Sequence, residues 1–252
     1  MQITYYTDPL CSWSWAFEPV YRRLRYEFGD RIRWRNRMGG MIPGWSNYSD
    51  PLNDVGGPSH MGPQWLEVSR TSGMPIDPYV WHDDPPGSSY PACVAVKAAE
   101  LQGAELGDRY LRRAREAVML QRRNIARRDV LLAIAEELAA STDPSVANGG
   151  FFDVVKFTGD LDGEAMEAFR QDVHEARYHG IGRFPTLVVT RAGQHGVVTV
   201  GYRPYELMRE IIAHVAPDVV PERPAPLASE YTRYWRDSGG SMTEDEIQLA
   251  CG

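Results

Sequence analysis

One cysteine at the junction of a predicted strand and a predicted helix is the feature that most constrains this chain. Residues 2–6 are β-branched and aromatic, which predicts a short strand. From residue 13 to residue 28, apolar side chains recur at steps of three and four, which predicts a helix with one buried face: Trp13, Phe17, Val20, Leu24 and Phe28. Cys11 therefore lies in a strand-to-helix turn, and the chain is predicted to fold as an α/β protein.

Cys11 has the position of a reactive thiol. Unpaired N–H groups and the positive end of the helix dipole favour a thiolate at a helix start. A cysteine in that setting can have its pKa lowered to roughly 3.5–7.5. We therefore expect Cys11 to be a nucleophile at neutral pH, the alternative being a buried structural cysteine.

A proline opens a second β-rich segment far along the chain. Pro185 follows Phe184 and precedes a run of threonine, leucine and valine that starts at Thr186. Proline lacks a ladder donor, so it is confined to the first residue or the edge of a strand. A turn at residues 192–196 then predicts an antiparallel hairpin with residues 197–201, followed by a helix over 205–215.

Five stretches together resemble the DsbA-like branch of the thioredoxin superfamily, and its FrnE-like members most closely: residues 8–13, 39–40, 89–92, 112–124 and 182–186. The resemblance implies a thioredoxin-like fold with a mostly helical insertion. In that fold Pro185 is cis, packs against Cys11 and presents the backbone of Phe184 to a substrate. The implied division is a discontinuous thioredoxin-like domain, an inserted loop and helical domain, and a proline-rich linker with a C-terminal tail: residues 1–59 with 173–216, residues 60–172, and residues 217–252.

The chain departs from the family at the second position of its thiol motif. Redox members carry Cys-x-x-Cys, whereas this chain has Cys11 followed three residues later by Ser14. Release of a mixed disulfide needs a second thiol on the same turn, which Ser14 lacks. Either Ser14 is native or it replaces the second cysteine of an ordinary dithiol enzyme. Cys93, near the start of a predicted helix over 92–102, is then either a resolving thiol or a small core residue.

The predicted site has a catalytic pair and a substrate-binding set. Cys11 attacks a disulfide or an electrophilic carbon, and Ser14 steadies its thiolate by hydrogen bonding. The substrate-binding residues are Ser12 and Trp13 beside the cysteine and Phe184, Pro185 and Thr186 at the strand start.

Three functions remain open at this stage. The first is thiol-disulfide chemistry through one nucleophilic cysteine, without a tightly bound cofactor but with glutathione or another small thiol as the resolving partner. The second is thiol-dependent cis-trans isomerisation of a conjugated small molecule. The third is a non-catalytic adaptor that binds a protein partner, and a homodimer is also compatible with the aromatic tail.

Composition indicates the cellular compartment and the classes of partner that this chain is expected to have. The formal net charge of −7 does not suggest nucleic-acid binding, and no apolar run is long enough to cross a bilayer. Three scattered cysteines and six scattered histidines have no metal-ligand spacing. A sparse, odd cysteine count fits a reducing compartment, so we expect a cytoplasmic protein.

Two features outside the site carry expectations of their own. Arginines on the predicted helices over 108–121 and 129–140 form a basic belt, for which an exposed face paired with glutamates is expected. After the proline-rich segment, the tail carries Tyr231, Tyr234 and Trp235, which indicates that it docks on its own domain or on a second subunit.

Overall fold

The computed structural model describes residues 1–51, 55–141, 151–238 and 241–252. Its sheet has four strands in the order β2-β1-β3-β4, with the bounds β1 Gln2–Thr7, β2 Arg33–Met38, β3 Thr186–Thr190 and β4 Val197–Val200. β1 pairs in parallel with β2 and antiparallel with β3, and β3 pairs antiparallel with β4. The predicted thioredoxin-like α/β fold is confirmed.

Twelve α-helices surround this sheet in the described part of the chain. Those of the thioredoxin-like core are α1 Ser12–Ala16, α2 Glu18–Phe28 and α10 Tyr205–Val215. Those between β2 and β3 are α3 Met61–Ser72, α4 Val80–Asp83, α5 Tyr90–Glu100, α6 Ala104–Leu120, α7 Arg128–Ser141, α8 Val154–Asp160 and α9 Glu164–Tyr178. The tail contributes α11 Ala228–Asp237 and α12 Glu244–Cys251. The helical segment between β2 and β3 matches the predicted insertion in kind, while its boundaries stay a prediction.

The single helix predicted over residues 13–28 is wrong in one respect. The chain forms α1 and then α2, with Phe17 between them and Pro19 in the first turn of α2. Proline has no N–H and is tolerated only in the first turn of a helix, so it starts a second helix here. The break leaves Cys11 at the start of a short helix that is independent of α2.

Two apolar cores flank the sheet. One face packs against α2 and α10 through residues such as Ile3, Leu187 and Met208. The helices between β2 and β3 form a larger core of their own, which reaches Leu10 and Trp15 beside the cysteine. The Cys11 turn is therefore held between the sheet and the helical segment.

The expectation of an exposed arginine belt is wrong for α6. Arg112 and Arg115 are 4% and 0% exposed. Their partners are buried glutamates: Arg112 contacts Glu116 on its own helix, and both arginines contact Glu18 on α2. The belt is therefore partly an internal ion network.

The tail docks on its own chain. Tyr231 and Trp235 of α11 are buried and form an apolar cluster with Tyr26 of α2. This contact selects the first of the two predicted docking modes for the aromatic tail. No helix within the described ranges combines the length and the apolar character needed to cross a bilayer.

Candidate functional site

Cys11 is brought against the segment that opens β3. Its side chain is 4% exposed, and its thiol donates a hydrogen bond to the Phe184 carbonyl oxygen over 3.3 Å. The peptide bond between Phe184 and Pro185 is cis. Thr186 begins β3, and its hydroxyl donates to the Arg183 carbonyl at 2.7 Å. The cysteine and the three residues predicted at the strand start thus form one site.

The protonation state of Cys11 differs from the sequence-based expectation. Burial is the largest effect and raises the pKa of the thiol, while the nearby hydroxyl and N–H of Ser14 lower it by less. The expected low-pKa thiolate is therefore wrong for this structure. The helix-start donors are present, but the thiol is enclosed by an apolar cluster that includes Tyr6, Ala176 and Phe184.

Ser14 lies behind Cys11. It is fully buried, and its carbonyl accepts a hydrogen bond from the Tyr5 hydroxyl at 3.4 Å. No described residue makes a hydrogen bond of ordinary geometry with the Ser14 hydroxyl. This side chain can favour the charged form of Cys11, and it offers no second thiol for exchange.

A cavity of about 520 Å³ opens at Cys11. Of the predicted substrate-binding residues, Ser12, Trp13 and Phe184 line it, while Pro185 and Thr186 are not among the described residues that line it. The rings of Trp13 and Tyr202 are 6.2 Å apart, which gives one wall an aromatic surface. The predicted site did not include lining residues that come from other loops: Met41, Asp50, Gly201 and Tyr202.

The glycine pair at residues 39–40, one of the stretches that carry the family resemblance, lies against the same wall. A Cβ atom at Gly39 would overlap the ring of Phe184. Only a residue without a side chain leaves room for this ring, which is 9% exposed. Gly39 therefore fixes the position of the Phe184 side chain.

Asp8 is a hub that sequence reasoning did not assign. Its carboxylate accepts hydrogen bonds from the N–H groups of Leu10 and Met41 at 2.9 and 2.6 Å, and from the Ser89 hydroxyl at 2.7 Å. The Cys93 thiol donates to it as well, at 3.4 Å. Burial, the largest effect, raises the pKa of Asp8 despite these donors. The only sequence signal was an aspartate directly before the cysteine turn.

Cys93 is placed differently from a resolving thiol. Its side chain is fully buried, donates to Asp8 and does not line the cavity. Burial raises the pKa of this thiol well above its ordinary value. Cys11 and Cys93 are both free in the structure, and the resolving role stays a prediction.

Arg115 is a buried cation close to the site. Arg115 contacts the Thr7 hydroxyl and the Glu18 carboxylate, and lies 3.5 Å from the Tyr5 hydroxyl. Burial would lower the pKa of Arg115, but its partners, Tyr5 first and then Glu18, outweigh burial and raise it. The guanidinium stays charged, and its field slightly favours the thiolate of Cys11.

A helix-start cysteine against a cis-proline, on this sheet, defines a thioredoxin-fold protein. The thioredoxin family model matches residues 5–210. The chain therefore belongs to this thioredoxin family.

The chain is similar in sequence to a named adapter protein and similar in fold to two solved structures. Over 234 residues the chain is 30% identical to the ClpXP adapter protein SpxH of Halalkalibacterium halodurans, covering 92% of this chain and 72% of the relative. A proposed protein disulfide isomerase from Nitrosomonas europaea superposes with a TM-score of 0.67 at 23% identity, covering 84% of this chain and 96% of the other. The cytosolic disulfide reductase DsbM from Pseudomonas aeruginosa superposes with a TM-score of 0.61 at 22% identity, covering 84% and 92%. These two structures show a shared fold.

Proposed function

We propose that this chain is a protein-binding adaptor that holds an extended partner segment at the Cys11 cavity and delivers the partner to a ClpXP-type protease. The proposal rests on the state of the Cys11 thiol. This side chain is buried and donates a hydrogen bond to the Phe184 carbonyl oxygen, and burial raises its pKa. Dithiol exchange needs a reactive thiolate and a second thiol nearby, and Ser14 occupies the second position. The relative named as a ClpXP adapter supports this class of activity.

The backbone at the start of β3 supplies a binding edge. An extended segment can pair with backbone at Phe184 and Pro185 while its side chains enter the cavity, which is the strand-addition mode of recognition. Aromatic rings such as Trp13 and Tyr202 bury large apolar areas with few rotatable bonds, which favours their use in recognition. Such a site binds a partner without a chemical step.

Single-cysteine chemistry is the second candidate, because Cys11 lines a cavity within the size range of small-molecule sites, roughly 300–1,000 Å³. The Cys11 thiolate would attack a glutathione mixed disulfide, releasing the partner thiol and forming a Cys11–glutathione disulfide. A second glutathione thiolate would then reduce this disulfide, leaving oxidised glutathione and free Cys11. Thiol-dependent isomerisation likewise requires a thiolate, so both reactions depend on removing the Cys11 proton.

Substitutions at the cavity separate the candidates. Gly182 lines the cavity, is exposed and has no atom within 4 Å of the point where a Cβ would stand, so Gly182→Trp can fill the entrance without backbone strain. Gly87→Trp is the matched control, because Gly87 is equally open but lies outside the cavity. Cys11→Ser removes the thiol and leaves the groove.

The experiment measures protein half-lives across the proteome after pulse labelling, in cells of the source organism that lack this chain. An adaptor predicts that certain proteins are stabilised both by loss of the chain and by depletion of ClpX. Wild type, Cys11→Ser and Gly87→Trp restore their turnover, whereas Gly182→Trp does not. Failure of Cys11→Ser alone would favour thiol chemistry, and the absence of any stabilised protein would refute the adaptor function.

A further inference from the structure

Arg183 lines the cavity without an ionic partner among the described residues. Its side chain is exposed. Its backbone is fixed, because its carbonyl accepts the Thr186 hydroxyl at 2.7 Å. Most other arginines near the sheet have ionic partners, such as Arg37 with Asp172 and Arg191 with Asp218.

An apolar strip continues from the cavity across the sheet. Val200 lines the cavity and is 43% exposed, and Val198 is 57% exposed. They pair with Thr186 and Val188, and side chains opposite each other in a ladder share a face. Val188 packs on the Cys11 cluster, so both β4 valines lie on the Cys11 face of the sheet.

β4 is an edge strand. It pairs with β3 on one side, and no described strand covers its other side. A strand edge next to exposed apolar side chains is a template for an added strand. The strip therefore leads from the cavity to a free backbone edge.

We infer that the site selects an extended partner segment in which an acidic side chain contacts Arg183 and aliphatic side chains cover Val198 and Val200. The inference rests on the proposed adaptor function and specifies the class of segment that it binds. Charge complementarity supports this occupant, because Arg183 lines the cavity without an ionic partner among the described residues and would pair with an acidic side chain. Length supports a segment over a small molecule, because the apolar surface continues beyond the cavity to the β4 edge.

The test is a selection of random peptides displayed on phage against the intact protein. Wild type is expected to enrich peptides with an aspartate or glutamate at a fixed spacing from aliphatic residues. Arg183→Glu is expected to select peptides with lysine or arginine at the position of that acid. It is also expected to bind the peptides selected by wild type at least about tenfold more weakly, as loss of one charge-assisted hydrogen bond would. Val198→Glu is expected to abolish enrichment of the aliphatic residues.

Matched controls are available on the same fold. Arg33 is an exposed arginine on the opposite edge strand, and Val155 is a valine on α8 that is 84% exposed. Arg33→Glu and Val155→Glu are expected to enrich the wild-type sequences. Unchanged selection by Arg183→Glu, or no enrichment by wild type, would overturn the inference.

Other occupants give distinct results. If Arg183→Glu abolishes binding of S-methylglutathione but selects the same peptides as wild type, Arg183 serves a small thiol and the inference fails. If the protein is a dimer that Val198→Glu makes monomeric, a second copy covers the strip and the inference fails. If turnover of ClpX-dependent proteins is the same with Arg183→Glu as with wild type, the adaptor function stands while acidic recognition is refuted.

Discussion

Removal of the Glu246 carboxylate is expected to destabilise the fold through an ion pair between distant parts of the chain. Glu246 is fully buried in α12, and its two oxygens accept hydrogen bonds from Arg112 at 2.9 and 2.6 Å. Arg22 lies 3.7 Å away and shares the same carboxylate. Glu246→Ala therefore leaves two buried arginines short of negative charge.

The stability that Glu246→Ala is expected to lose lies at the lower end of the range for breaking a buried ion pair. Removing one partner of a buried ion pair costs about 3–5 kcal/mol, because an uncompensated charge remains in a medium of low dielectric. Arg112 keeps Glu116 at 2.6 Å and Glu18 at 3.3 Å, so its charge is only partly uncompensated. We expect Glu246→Ala to lower the free energy of unfolding by about 3 kcal/mol.

Urea unfolding followed by circular dichroism and tryptophan fluorescence measures this loss. Gln248→Ala is the control, because Gln248 is exposed on the same helix and its removal should change stability by less than about 0.5 kcal/mol. A loss equal to that of the control would refute the buried network as the anchor of α12. A lower slope of unfolding free energy against urea would instead indicate that α12 had already undocked in the native state.

Three further predictions concern the thiol and the acid limit of stability. Because burial raises the pKa of Cys11, its alkylation midpoint should lie above the ordinary value of about 8.5, and Ser14→Ala should move it higher. Ser14→Cys should form a disulfide with Cys11 under oxidised glutathione, seen as the loss of two titratable thiols. Burial would raise the pKa of Glu116, but Arg112 and its other partners outweigh burial and lower it. Glu116 therefore stabilises the fold above its unfolded pKa of about 4.3 and loses this contribution as pH falls through its folded pKa, so Glu116→Gln should flatten that fall.

Each of these three predictions would be contradicted by a specific result. An alkylation midpoint below about 8.5 that disappears in Cys11→Ser would restore the expectation of a thiolate. Four titratable thiols remaining in Ser14→Cys after oxidation would mean that the helix start cannot close a disulfide. An unchanged acid profile in Glu116→Gln would mean that other carboxyls set the acid limit.

The sequence was sufficient for the parts of the site that depend on local pattern. A cysteine after a strand and a proline before one are local signals, and their meeting follows from the superfamily fold. The direction of the Cys11 pKa shift could not be predicted, because it depends on burial by Tyr6 and Ala176, which are far apart in sequence. The ion pair between Arg112 and Glu246 could not be predicted for the same reason, since the two residues are 134 positions apart.

The same geometry limits the resolution of any mixed disulfide formed at Cys11. If Cys11 formed a mixed disulfide, Ser14 could not resolve it, and the Cys93 thiol is held by Asp8. Resolution would require an external thiol to enter the cavity beside Trp13. A mixed disulfide at this site would therefore outlast one at a dithiol motif, which would slow an oxidoreductase, whereas non-covalent binding of a partner does not depend on its resolution.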